Sequence, residues 1–192
     1  MPGSSGDEAI AVLRERILSI PADLKALFAV VDDADLPDEL RVKAAAAIFY
    51  NLNPSNLIPA KEGMLGYADD ALAIRCAMFA VAEAAPEQAK RHAEHAPELW
   101  GDLDRDIAAF SGLLGDLWEP FREAWLRVGM MEWRGKKAAD AVADEEVSAW
   151  LYAAVDEAFA LRDLEEAAVV REVRRDPLLA KLQGRLGARK RA

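Results

Sequence analysis

The feature that most constrains this chain is an apolar run at residues 71–82, in which Arg75 is the single charged side chain. A surface helix keeps one polar face, so a helix that is apolar nearly all round must be covered on every side. The run therefore predicts a buried central helix at about residues 70–84. The other segments must surround it, which favours a multi-helix bundle.

A turn region precedes the predicted central helix. Pro54 and Pro59 each disfavour the α conformation in the residue before them, so the preceding helix is expected to end near Leu52. Gly63 and Gly66 supply backbone conformations that cost other residues more. Residues 53–66, called the motif loop below, are therefore predicted to form an irregular connection between two helices.

Asp69 and Asp70, called the acidic pair below, stand where the central helix is expected to begin. A carboxylate there can accept hydrogen bonds from free backbone N–H groups and is favoured by the helix dipole. We therefore predict that one aspartate caps its own helix while the other ties down the motif loop. The alternative is a divalent-cation site that also uses Glu62 or another carboxylate. Because adjacent helical residues point about 100° apart, the pair needs help from another segment to hold one metal ion.

This region resembles a known family. The residues that carry the resemblance are Tyr50, the run Pro54-Ser55-Asn56-Leu57-Ile58-Pro59-Ala60, and the run Gly66-Tyr67-Ala68-Asp69-Asp70. Their order is similar to that of the YkvA-like domain, a bacterial family of unknown function, over residues 44–82. The chain departs from the family pattern at Asn56 and Ala60, where the family has aspartates. A function that needs all of the family's carboxylates is therefore not expected here. The resemblance implies roles in the turn and helix start for Tyr50, Pro54, Asn56, Pro59, Gly66, Asp69 and Asp70.

Composition favours an all-α, single-domain bundle of about seven to nine helices. Apolar residues make up 53% of the 192, with alanine prominent and few β-branched runs. We expect a disordered N-terminus at residues 1–6, a helical domain at 7–175 with the motif core at about 37–84, and a basic flexible tail at 176–192.

The order of the helices follows from apolar spacing and from proline and glycine positions. Pro21 is expected to separate a first helix at 7–19 from a second at 22–31. Further helices are predicted at 38–52, 87–94, 98–114 and 117–131. A last helix at 144–175 would reach about 48 Å at 1.5 Å per residue, so its half after Leu164 is expected to project or break.

Charge is unevenly distributed along the chain. Residues 171–192 carry a net charge of +6, while the whole chain carries −10 and the remainder therefore −16. Basic side chains at Arg185, Arg189, Lys190 and Arg191 could recruit an acidic partner. The tail has no interleaved aromatic residues for base stacking, so nucleic acid is expected to bind weakly at most.

Sites of other kinds find little support. His92 and His95 lie three residues apart on a polar helix, but a closed zinc site needs four converging ligands. Cys76 lies in the apolar run and is predicted to be a small core residue. Asp102, Asp104 and Asp106 match the first ligand spacings of a calcium loop but lack its glycine and glutamate. No cofactor is expected.

The lone cysteine, the absence of a signal-like N-terminus and the absence of an apolar run of 18 residues favour a soluble, cytoplasmic protein with no integral membrane segment. Its net charge makes it acidic, and the resemblance implies a bacterial origin. The favoured function is a non-enzymatic interaction or scaffold module with a protein partner. A homodimer is possible through the aromatic segment around residues 118–125. The alternative is a divalent-metal-dependent enzyme that uses Asp69 and Asp70.

Overall fold

A computed structural model describes residues 5–160 and 164–189 and confirms the all-α multi-helix bundle. Short 3-10 helices occupy Ala60–Tyr67 and Gly115–Leu117. The α-helices are α1 (Ser5–Asp32), α2 (Asp38–Leu52), α3 (Ala68–Ala84), α4 (Pro86–His95), α5 (Pro97–Trp100), α6 (Leu103–Leu114), α7 (Trp118–Gly129), α8 (Ala138–Ala143), α9 (Glu145–Ala160), α10 (Glu166–Glu172) and α11 (Arg175–Arg189).

Helix α3 is the buried central helix that the apolar run predicts. It contacts α1, α2, α6 and α7, and every residue from Ala68 to Met78 is buried. The neighbouring α2 presents Ala44, Ala45, Ala46 and Ala47 to the interior, all fully buried. Because alanine side chains are short, α2 lets its neighbours approach closely.

Helices α2 and α7 show how close this approach is. Gly129 ends α7 directly against α2, and a Cβ atom there would lie 2.2 Å from the carbonyl oxygen of Ala46. No real Cβ atom tolerates such a distance. The crossing of α2 and α7 therefore requires glycine at position 129.

The predicted break at Pro21 is wrong, because α1 continues through it from Ser5 to Asp32. Proline removes one backbone hydrogen bond and ordinarily kinks or breaks a helix. Here Ile17 and Ile20 before it and Leu24 after it are almost fully buried, so both halves of α1 are held by the same core. The ring of Pro21 itself is exposed.

The C-terminal segment also differs from the prediction. A flexible tail at 176–192 is wrong for residues up to 189, because α11 places Leu178, Leu182 and Leu186 in the core at helical spacing. The side chain of Arg14 donates to the carbonyl oxygen of Val173 through Nε at 2.9 Å and Nη2 at 2.8 Å. The C-terminal arm (residues 164–189) is therefore docked on the bundle.

The long helix predicted at 144–175 breaks instead of projecting. Helix α9 ends at Ala160 and α10 begins at Glu166, with Leu164 outside both. The helix predicted at 98–114 is likewise interrupted between Trp100 and Leu103. Most of the N-terminus expected to be disordered, residues 1–4, lies outside the described residues. None of the helices within the described ranges is long and apolar enough to cross a membrane.

Candidate functional site

The candidate site lies where the end of α2, the motif loop and the start of α3 meet. Asp69 is fully buried there, and its Oδ2 accepts hydrogen bonds from the Tyr50 hydroxyl and, at 3.0 Å, from the backbone N–H of Ile58. The Tyr50 oxygen in turn accepts the N–H of Leu57 at 3.0 Å. One carboxylate and one hydroxyl thus hold two successive loop amides against α2 and α3.

Asp70 makes a second tie to the loop. Its Oδ1 accepts a hydrogen bond of 3.1 Å from the side-chain amide of Asn56. Asn51 reaches from α2 to the same place, donating to the carbonyl oxygen of Ala47 at 2.9 Å and more weakly to that of Asp70 at 3.5 Å. An aspartate at position 56 would bring a second carboxylate to Asp70, whereas asparagine brings a donor. The departure from the family pattern at Asn56 therefore fits a bracing contact.

The electrostatics of the site follow from its burial. Desolvation raises the pKa of Asp69 to about 7, even though the hydrogen bonds from Tyr50 and Ile58 favour the ionised form. The pKa of Tyr50 is raised well above its ordinary value by burial and by the adjacent Asp69 carboxylate. At neutral pH the fully buried Asp69 carboxyl group is therefore close to the midpoint of its titration.

The start of α3 lies just before the acidic pair that was expected to cap it. Helix α3 begins at Ala68, so Asp69 and Asp70 lie inside its first turn, and Tyr67 at the N-cap position makes no side-chain cap. The 3-10 helix runs directly into α3, and the N–H of Ala68 bonds to the carbonyl oxygen of Leu65. Because the preceding turn supplies a carbonyl acceptor, the helix start depends less on a capping side chain.

The other motif residues shape the loop backbone. Pro54 is exposed and Pro59 half-buried, and the Pro59 carbonyl accepts the N–H of Glu62 at 2.9 Å. Gly66 is buried, and a Cβ atom on it would lie 2.7 Å from the Pro59 oxygen and 2.9 Å from the Cα of Ala60. The motif loop folds back on itself at a distance that excludes a side chain at position 66.

The C-terminal arm closes over the same loop. Glu172 Oε2 accepts the N–H of Met64 at 2.9 Å, and Lys181 Nζ lies 2.9 Å from Glu62 Oε2. Glu62 was the third ligand suggested in the metal alternative, and it is paired with a lysine instead. Within residues 5–160 and 164–189 there is no group of three or more His, Cys, Asp or Glu side chains that could hold a metal ion.

A second buried polar cluster lies on another face of α3. The fully buried Arg75 pairs with Asp23 at 2.7 Å, lies 3.6 Å from Asp106, and donates to the carbonyl oxygen of Leu99. Arg16 lies 2.7 Å from the same Asp106 oxygen. The cluster joins α1, α3 and α6, and its two arginines balance its two buried aspartates.

Burial sets the electrostatics of this second cluster as well. Desolvation raises the pKa of Asp23 and of Asp106 and lowers that of Arg75, while the opposite charges counteract each shift. Sequence analysis found Arg75 but missed its partners. A signal was present, since Arg16 and Asp23 lie seven residues apart, two turns along the apolar face of α1.

The remaining sequence candidates lie apart from both clusters. His92 contacts Asp33 at 3.0 Å and stacks on Trp100, while His95 contacts the carbonyl oxygen of Arg91. The two histidines therefore face different partners. Cys76 is buried, and desolvation raises its pKa to about 12, which leaves it a weak nucleophile.

Arginines of the C-terminal arm lie at the surface, where Arg174 Nε donates to the carbonyl oxygen of Arg171 at 2.9 Å. Arg174, Arg175 and Arg185 are exposed, and none of them forms an ion pair with a carboxylate of the described residues. Arg189 is the last helical residue of α11, and Lys190 and Arg191 lie outside the described residues. Four residues of the tail were predicted to bind a partner. Arg185 is the one of them whose side chain lies in the described part of the chain.

Comparisons with known proteins add no relative: no family model, no curated protein and no solved structure matches the chain. The resemblance to the YkvA-like domain therefore rests on the motif residues themselves and is carried forward as a proposal.

Proposed function

We propose that this protein is a non-enzymatic helical interaction module, related to YkvA-like domains, whose basic C-terminal face binds an acidic protein partner. The observation that carries the proposal is the use of the acidic pair inside the fold. Asp69 and Asp70 are at most 1% exposed, and both accept hydrogen bonds that hold the motif loop. Carboxylates so enclosed are poorly placed to meet a substrate. A bacterial origin and a cytoplasmic location belong to the same proposal.

The geometry of the C-terminal arm supports the partner surface. Three buried leucines on one face of α11 fix its position and rotation on the bundle, and Lys181 adds a surface salt bridge to Glu62. Arg174, Arg175 and Arg185 are consequently presented from a defined scaffold. Because a guanidinium group holds a carboxylate through two parallel hydrogen bonds, an ordered set of them favours an acidic protein surface.

The test uses a fluorescent poly-glutamate peptide as a defined acidic probe. A variant with Arg174→Glu, Arg175→Glu and Arg185→Glu should lose binding in fluorescence anisotropy, and binding to the native protein should weaken as salt rises. A matched control also reverses three exposed cations, Lys90 of α4 and Arg134 and Lys137 of the loop before α8.

Equal loss of binding in both variants would assign the interaction to net charge and contradict the proposed surface. Preference for duplex DNA over poly-glutamate would also contradict it. Measurement of the molar mass with and without the peptide would show whether a homodimer forms as part of the interaction.

A further inference from the structure

A cavity of about 660 Å³ lies between α1 and α9, away from the motif loop. One wall is a stripe of α1 formed by Pro21, Lys25 and Phe28, and the other is a stripe of α9 that includes Tyr152 and Asp156. Volumes of this size are typical of small-molecule sites in proteins. The cavity belongs to neither of the polar clusters described above.

Phe28 and Tyr152 stack at one end of the cavity with ring centroids 3.7 Å apart, and the Tyr152 hydroxyl donates to Asp32 at 2.6 Å. From this contact the cavity extends along α1 to Pro21 and along α9 to Ala160, and it is called the wedge below. The wedge is lined mainly by aromatic and aliphatic side chains, which favour an apolar ligand body.

Two charged groups flank the wedge on opposite walls. Lys25 and Asp156 make no hydrogen bond or ion pair with any described residue, so both are available to a ligand. Asp156 lies between Tyr152 and Phe159 on one face of α9, at spacings of four and three residues. A carboxylate beside aromatic rings attracts an organic cation, because the ring faces are themselves electronegative.

The sign of the surrounding charge favours the same choice. The whole chain carries −10, which raises the local concentration of small cations. Asp32 adds a second carboxylate beside the Tyr152 hydroxyl, whereas Lys25 can move its ammonium group into solvent on a flexible stem. We propose that the wedge between α1 and α9 binds a small organic amine, with its apolar body against Phe28 and Tyr152 and its ammonium group at Asp156.

The experiment titrates the full-length protein with 2-phenylethylammonium and, separately, with 3-phenylpropionate, an anion of similar shape. Backbone amide chemical shifts of the residues that line the wedge should saturate with the amine at a Kd of about 1–10 mM, as expected for a fragment of this size. The anion should bind more weakly. Absence of saturable shifts with the amine, or equal binding of the anion, would overturn the proposal.

Charge variants at the exposed wall positions separate the two signs. Asp156→Asn should weaken amine binding about two- to fivefold, the range for an exposed ion pair, while Lys25→Ala should leave it unchanged or tighter. The reverse pattern would contradict the assignment of an amine. Both positions are exposed, so these variants are expected to remain folded.

A steric variant tests the location. Ala160→Trp adds a large ring to the lining of the wedge and should abolish the shifts, whereas Ala153→Trp, on an exposed part of α9 outside the wedge, should not. Circular dichroism checks that both variants keep the helical content of the native protein. Equal effects of the two tryptophans would place the binding elsewhere and sink the proposal.

Discussion

The Tyr50 hydroxyl is the group whose removal tests the bracing network most cleanly. It donates to Asp69 and accepts from the N–H of Leu57, and the tyrosine is fully buried. Tyr50→Phe deletes one oxygen atom and leaves the ring in place. The amide of Leu57 then loses its partner in the interior, and the Asp69 carboxylate loses the hydroxyl that donates to it.

The magnitude follows from these two losses. A buried polar group left without a partner costs about 1–3 kcal/mol, and more when it is charged, so Tyr50→Phe should lower the free energy of unfolding by roughly 2–4 kcal/mol. In a chain of 192 residues this corresponds to a fall in Tm of about 4–16 °C. The loss should be larger at pH 8 than at pH 5, because the ionised form of Asp69 depends more on the lost donor.

The assay is urea unfolding followed by circular dichroism, with Tyr152→Phe as the matched control. Tyr152 is 38% exposed and donates to the exposed Asp32, so its hydroxyl should contribute less than about 1 kcal/mol. If both substitutions cost the same small amount, Tyr50 would not hold the motif loop, and the bracing role of Asp69 would be refuted.

Three further predictions address the pH dependence, the helix crossing and the C-terminal arm. Because the pKa of Asp69 is raised in the folded protein, the folded state keeps a proton that the unfolded chain has lost between about pH 4 and 7. The free energy of unfolding should therefore fall as pH rises through this range, by at most about 1.4 kcal/mol per pH unit. Urea unfolding of Asp69→Asn should lack this component, and the same dependence of stability on pH in both proteins would contradict it. Gly129→Ala should destabilise by about 1–3 kcal/mol through the clash with α2, whereas Gly112→Ala, whose Cβ meets nothing, should stabilise α6 by about 0.5–1 kcal/mol in thermal unfolding. Leu182→Ala should cost about 2–5 kcal/mol and speed the hydrogen exchange of α11, while the exposed Gln183→Ala should change neither; a silent Leu182→Ala would show that the arm is not docked.

Local patterns allowed much of the bundle to be predicted. The central helix, the end of α2 at Leu52 and the core position of Cys76 follow from apolar runs and from proline positions, because burial and backbone sterics act within a few residues. The acidic pair was also correctly singled out as important to the motif loop. Its partners, Tyr50 and the amides of the loop, come from both sides of the turn.

The rest depended on contacts between distant segments. Pro21 is tolerated because buried side chains on both sides of it pack α1 into the core. The residues next to Pro21 in the sequence do not indicate this packing. Arg75 forms its hydrogen bond with Asp23, which lies 52 residues away in the sequence. The basic residues of the arm drew the sequence interpretation away from the three leucines that dock it. Sequence analysis treated the arm by its charge, whereas the periodic leucines at positions 178, 182 and 186 carried the structural signal.

The central claim is that Asp69 serves the fold, and one paired measurement tests it most directly. Asp69→Ala and Asp104→Ala, the latter at an exposed position on α6, are compared by urea unfolding, and the native protein is titrated with Mn²⁺ by calorimetry. Asp69→Ala should lower the free energy of unfolding by roughly 2–4 kcal/mol, because the Tyr50 hydroxyl and the Ile58 amide lose their acceptor. Asp104→Ala should stay within about 0.5 kcal/mol of the native protein. Mn²⁺ should give no saturable heat. Unchanged stability in Asp69→Ala, together with Mn²⁺ binding that this substitution abolishes, would contradict the central claim.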